Sequence, residues 1–408
     1  MKMPSREPDW HAPRNRTVAA GELLSASESE QKKQGYFHTL REIRQQPSTL
    51  LATSDRMLRS EAELKRLAAG IQSLVLTGSG SSEYAGDCVR LPLQDELRIP
   101  VQTIASGSLL THGDKVLPPA RPGMMISIAR SGDSPESAGA LSLMLECEPD
   151  LRHLILTCNA KGQLAETFRR DPRVHVIVLD ERTNDRSLVM TSSFTSLAWA
   201  ARFLGLADQP EAYRNLSAQL SNIVQGVLQN YFETLGRVAA RPFRRAVFLG
   251  SGSRFGAARE ASLKMLEMTA GRVSTLCETY LGLRHGPMSY VHDDALIVCF
   301  LSSDEMIRAY EADLLRELDR KKLGCLKVIA GEQIPSDLLR KDDVAIECPG
   351  LQKIGDENAG MVDVVIGQLL GFFRCLEEGL QPDSPSESGV INRVVEKFQL
   401  HHPGARRA

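Results

Sequence analysis

The chain has 408 residues, 42% hydrophobic and 25% charged, which excludes wholesale disorder, collagen-like repeats and a coiled coil and leaves room for two or three domains. Its 49 Lys and Arg nearly cancel 51 Asp and Glu, and a net charge of −2 gives no overall basic field to attract nucleic acid. Apolar runs such as 295–301 (ALIVCFL) fall short of the about 20 residues a membrane span needs, and the polar, Pro-broken opening MKMPSREPDWHAPRNR has no signal-like apolar segment, so a cytoplasmic protein is expected.

Residues 1–34 are polar and aperiodic and read as an arm, with order expected to begin near Gly35. Beyond it, apolar β-rich runs at 73–76 (SLVL), 124–129 (MMISIA), 151–157 (LRHLILT) and 174–180 (VHVIVLD) alternate with helical stretches at 55–69, 82–97, 134–145 and 191–204. Short, nearly all-apolar strands separated by helices predict a parallel sheet covered on both faces, the doubly wound α/β class. A second round follows, with strands at 246–252, 295–301, 326–330 and 344–348 and helices at 256–270, 306–322 and 360–378. The eight cysteines form no CxxC or Cys/His cluster and read as buried, reduced thiols, with no metal and no cofactor expected.

The two rounds resemble each other. LVLTGSGSSEYAG from Leu74 matches RAVFLGSGSRFGA from Arg245, with Gly78, Ser79, Gly80 and Ser81 against Gly250, Ser251, Gly252 and Ser253 at a constant offset of 172 residues. The chain therefore reads as an arm (1–34), two tandem domains of one flavodoxin-like αβα fold (35–215 and 216–400, the boundary near 208–219) and a short tail (401–408).

Each GSGS sits between a strand and a helix, where glycine permits a tight turn and helix amides and Ser hydroxyls can receive an anion. The same residues are equally ordinary turn and N-cap chemistry. ARSGDSPES, with Arg130, Ser131 and Ser134, opens another helix at the end of 124–129, and Thr191, Ser192, Ser193, Phe194 and Thr195 open a third; capping and ligand contact both fit them. In FGAAREASLKMLEMTAG, Glu260, Lys264 and Glu267 share one helical face. They are either a solvated ladder or, among Leu263, Met265, Leu266 and Met268, a partly buried set whose carboxylates shift towards base duty near neutral pH. His285 follows in a Gly/Pro-bounded turn, TYLGLRHGPMSY, where an imidazole could exchange a proton with a sugar ring oxygen.

Taken together, EIRQQP, GSGSS, ARSGDS, NDRSLVMTSSFTS, LGSGS, EASLKMLE, RHGPMS and NRVVEKF resemble, in order and spacing, the tandem sugar isomerase (SIS) domain family. The pattern is similar to the isomerase half of glucosamine-6-phosphate synthase and, more closely, to AgaS-type proteins of galactosamine catabolism. The resemblance implies a phosphate held by Gly80, Ser81 and Ser82 and by the Ser131–Ser134 loop, with Ser192 and Ser193 as further contacts. Ala129 and Arg130 stand where the family's loop has Ser and Gln, so that one hydroxyl is lost and the Arg130 charge can offset it. It further implies Glu267 as the proton-shuttling carboxylate, Lys264 as its companion, Glu260 as an acidic neighbour, and His285 as a ring-opening group reaching a site across the subunit interface of a homodimer or higher homo-oligomer. The family's C-terminal Schiff-base lysine aligns with Glu396 or Lys397, and Arg393 lies where it could contact substrate.

The activity so implied is deaminating aldose–ketose isomerisation of a hexosamine 6-phosphate, most closely galactosamine 6-phosphate to tagatose 6-phosphate and ammonia. Glu267 would move a proton between C2 and C1 through an enolamine-like intermediate. A simple phosphosugar isomerase is the nearest alternative. A non-catalytic phosphosugar sensor is the other, for which the Glu/Lys/His set would be superfluous.

Overall fold

Runs that are apolar on both faces become strands buried on both faces. The computed structural model describes residues 20–396 and 398–401, whose ten strands are β1 (Ser73–Gly78), β2 (Val101–Ala105), β3 (Gly123–Ala129), β4 (Leu151–Thr157), β5 (Val174–Val178), β6 (Arg245–Leu249), β7 (Ser274–Glu278), β8 (Ala295–Phe300), β9 (Leu326–Gly331) and β10 (Val344–Glu347). They form two five-stranded parallel sheets, ordered β2-β1-β3-β4-β5 and β10-β9-β8-β6-β7. This is one topology twice, and in each the order reverses at the first strand of the unit, where doubly wound folds place their ligands. Register repeats as well: Leu74 opposes Met124 in the first sheet, and Ala246 opposes Leu296 in the second, each pair 172 residues from its counterpart.

Two strands escape the sequence reading. VQTIA (β2) and STLCE (β7) are edge strands with several half-exposed positions, so neither shows the unbroken apolar run that betrays β1, β3 or β8. Other expectations shift too. The stretch expected as one helix at 55–69 is split into Gln46–Leu58 and Glu61–Ala68, and residues 208–219 lie in or beside a continuous helix, Pro210–Asn230. Part of the arm is helical, at Ala20–Ser25 and Glu28–Gln34, with Leu23 buried; residues 1–19 and 402–408 lie outside the described residues. Cys147 and Cys325 are exposed, against the expectation of buried thiols.

The helix Asp356–Glu377 is long and apolar enough to cross a membrane by length and composition, yet 89% of its apolar window is buried inside the protein. It is a core helix, and each of its buried Val, Leu and Phe side chains contributes about 1.5–3 kcal/mol. Against it and against helix Ser81–Leu97 packs helix Ser253–Met268, which carries Glu260, Lys264 and Glu267. Glycines set the approach. A Cβ on Gly256 would lie 2.6 Å from the Cys88 amide nitrogen, and one on Gly367 2.4 Å from the Ala261 Cβ. That closeness brings the second unit's charged helix face onto the first unit's Gly/Ser turn.

Candidate active site

The turn between β1 and helix Ser81–Leu97 needs a backbone only glycine adopts easily: Gly80 has φ 57° and ψ −126°. Its repeat partner Gly252 has φ 55° and ψ −127°. The two turns are thus the same device, but their surroundings diverge.

In the first unit the turn opens on a cavity of about 520 Å³, a volume ordinary for a small-molecule site. Gly80, Ser81 and Ser82 line one wall, Arg130, Ser131 and Ser134 another, Lys264 and Glu267 a third, and residues 390–396 a fourth. Ser81 and Ser82 are each 6% exposed at the helix N-terminus, where amide dipoles favour an anion. The solvated-ladder reading of the helix face is set aside by burial. Glu260 and Lys264 are fully buried, whereas the Glu267 side chain is 24% exposed, at the cavity.

Lys264 ties these parts together. Its Nζ donates to Ser81 Oγ at 3.0 Å, lies 3.3 Å from Glu260 Oε1 and contacts Glu267 Oε2. Burial alone would lower the ammonium pKa, but the Glu260 and Glu267 carboxylates outweigh it and raise it. Burial drives Glu260 the other way, up to about 7, with Lys264 opposing and Glu267 adding to the shift. A fixed cation therefore sits beside a carboxylate that faces an open space next to an anion turn. Such an arrangement suits proton transfer on a bound anionic substrate.

Several expected contacts are arranged differently. Ser192 and Ser193 are fully buried and do not line the cavity; their hydroxyls donate to Asp185 Oδ1 and Oδ2, each at 2.5 Å, and Ser192 Oγ also accepts from Gln45. They hold a loop and lie outside the cavity lining. Arg130 lines the cavity, but its guanidinium donates to the Ser187, Leu188 and Arg393 carbonyls at 3.2, 3.0 and 2.7 Å, so its charge anchors the wall. Arg393 donates to Asp185 O at 2.7 Å and Asn184 Oδ1 at 2.6 Å while also lining the cavity. Ser131 Oγ accepts from the Asp133 amide, and Ser134 Oγ donates to Glu136. His285 is exposed and lies outside the cavity. Glu396 lines the cavity, and Lys397 lies outside the described residues.

Two residues that sequence reasoning gave no role support this wall. Asp185 receives Ser192 and Ser193. Glu42, from EIRQQP on helix Phe37–Arg44, accepts from the Arg186 amide at 2.6 Å, from the Ser187 amide and from Ser187 Oγ. Both belong to motif strings, but only the fold brings residues 143 positions apart together.

The second unit's turn faces its own side chains. Arg254 occupies the position of Ser82, is fully buried, and donates to both Asp363 oxygens at 2.7 Å and to Leu301 O. At Ser302 and Ser303, which repeat Arg130 and Ser131, the amides donate to Glu311 at 2.7 Å and to Asp356 at 2.9 Å. Carboxylates of the chain thus take amides at the place where the first unit presents an open cavity.

No family model matches the chain. It is 34% identical over 330 residues to the D-galactosamine-6-phosphate deaminase AgaS of Escherichia coli, covering 80% of this chain and 85% of that protein. It is 31% identical over 390 residues to the D-galactosamine-6-phosphate deaminase AgaS of Shewanella sp. (strain ANA-3), covering 93% and 95%. Among solved structures it is similar to tagatose-6-phosphate ketose/aldose isomerase from Escherichia coli, with TM-score 0.80, 29% identity and coverage of 88% and 96%. The C-terminal domain of glucosamine-fructose-6-phosphate aminotransferase from Francisella tularensis shares the fold, with TM-score 0.72, 19% identity and coverage of 88% and 100%.

Proposed function

The chain belongs to the D-galactosamine-6-phosphate deaminase AgaS family, and on that premise we propose that it converts D-galactosamine 6-phosphate and water into D-tagatose 6-phosphate and ammonia. The observation that carries the reading is Glu267, placed on the cavity wall and paired with a buried Lys264 that also touches Ser81 of the anion turn. With its phosphate on Gly80–Ser82 and the Ser131–Ser134 loop, an open-chain substrate directs C1 and C2 towards Glu267. The Glu267 carboxylate takes the C2 proton, giving an enolamine, and returns it to C1, while Lys264 stabilises charge developing at O1 and the amine gives up the proton that O1 gains. The resulting C2 ketimine adds water and expels ammonia, leaving the ketose. Redox state is unchanged overall, and the proton lost at C2 is the one gained at C1.

Ring opening belongs to His285, which is exposed and outside its own chain's cavity. We therefore assign it to the cavity of a second copy in a homodimer. Mixing Glu267→Gln and His285→Asn chains, each inactive alone, through partial unfolding and refolding should restore roughly a quarter of the wild-type activity, because one mixed site carries both native groups. Absence of any recovery would count against a shared site.

The likeness to a tagatose-6-phosphate ketose/aldose isomerase favours one second reading, isomerisation without loss of nitrogen. An assay of ammonia release across galactosamine, glucosamine and N-acetylated hexosamine 6-phosphates, with ketose and aldose phosphates alongside, separates the two. Ammonia from galactosamine 6-phosphate supports deamination. Aldose–ketose conversion with no ammonia from any amino sugar supports the second reading.

A further inference from the structure

A second cavity, of about 600 Å³, adjoins the candidate active site and shares Arg393 with it. Its walls come from helix Phe37–Arg44 and from residues 181–186, and they bring His38, Arg41, Arg182 and Arg186 to the same space as Arg393. The opposing carboxylates do not cancel this charge. Glu42 is 5% exposed, saturated by the Arg186 and Ser187 donors, and pushed up to about 7 by burial and by Asp185. Glu181 is exposed to solvent, as are Arg41, Arg182 and Arg186, and four arginines against two glutamates leave the lining net positive. Arg182 is held by Asp180 at 2.8 Å, but Arg41 and Arg186 form no ion pair among the described residues. The Arg41 guanidinium lies 6.0 Å from the Phe37 ring centroid and, like that of Arg186, is free of carboxylate partners among the described residues, so both can offer donors to phosphate oxygens in a cavity of ligand size.

We propose that this cavity is a second ligand site, for a small molecule bearing a phosphate or diphosphate group, and that its occupancy is transmitted to the 390–396 wall of the active cavity through Arg393. The link is a chain of named bonds. The Arg393 side chain is moored to Asp185 O and Asn184 Oδ1, on the loop that Glu42 pins through the Arg186 and Ser187 amides. The Arg393 carbonyl in turn accepts from Arg130, which also grips Ser187 O and Leu188 O. An anion that draws on the Arg393 guanidinium competes with its bonds to Asp185 O and Asn184 Oδ1, so the two cavities are joined by a residue that both ligands bias. The site does not depend on which reaction the neighbouring cavity performs.

The test uses inorganic pyrophosphate with the full chain. Isothermal titration of the wild type should show two binding events, and Arg41→Gln/Arg186→Gln should weaken one of them at least tenfold while basal activity stays unchanged. In the wild type, pyrophosphate should speed hydrogen exchange in residues 390–396 at least threefold, because it draws Arg393 from its partners, beyond any effect that persists in the double variant. Unaltered binding in Arg41→Gln/Arg186→Gln would overturn the site, because all pyrophosphate would then reside in the active cavity. Binding that is lost in the variant, with exchange at 390–396 identical in both proteins, would overturn the coupling. Should the protein release no ammonia from any hexosamine phosphate, the reading of its activity fails while both of these measurements still decide the second site.

Discussion

Glu267→Gln should lower ammonia release from galactosamine 6-phosphate by roughly 10²–10⁴-fold, the range a positioned general acid–base group contributes. The substitution keeps the side chain's volume and leaves an amide oxygen to accept from Lys264, so thermal stability and substrate binding should change little. The loss should appear in kcat, because the carboxylate acts on the proton in flight and does little to hold the ground state. A variant that keeps wild-type turnover would remove Glu267 from the mechanism. Lys264 is a poorer choice for this test, since deleting its ammonium would strand Glu260, fully buried and raised to about 7 by that burial.

Arg254→Met should destabilise the fold by about 3–5 kcal/mol, the cost of leaving a buried charge without its partner. Arg254 and Asp363 are both 0% exposed and share two hydrogen bonds of 2.7 Å. The Asp363, Asp356 and Glu311 carboxylates hold the guanidinium protonated against a burial that acts to lower it. Arg254→Met/Asp363→Leu should recover part of the loss, because it removes the fully buried carboxylate while Asp356 and Glu311 still lack the guanidinium. Urea unfolding of the two variants measures the difference. A single variant within about 1 kcal/mol of wild type would show that water or rearrangement satisfies Asp363.

These two residues mark what a sequence can disclose and what it withholds. β1, β3, β6 and β8 are legible because strands buried on both faces must be apolar throughout, and the glycine turns are legible because their positive φ restricts the residue type. Glu260, Lys264 and Glu267 share a helical face by spacing alone, but whether that face is wet or buried depends on helices 81–97 and 356–377, which spacing does not reveal. Arg254 shows the same blindness from the other side. The repeat made the two GSGS turns look equivalent, and one residue after the motif, arginine in place of serine, fills one site and leaves the other open. Ser192 and Ser193 look like ligand hydroxyls until Asp185, seven and eight positions earlier, is found to receive both.

The candidate cavity draws its walls from residues 80–82, 130–134, 264–267 and 390–396. The anion turn can fold while the chain is still being synthesised, since the first sheet is complete by Val178. The helix that carries Glu267 follows some eighty residues later, and the fourth wall roughly two hundred residues after the first sheet. The proposed phosphate turn is therefore local in sequence whereas the proposed proton transfer is not, and the complete cavity forms only once contacts between distant segments of the chain have closed.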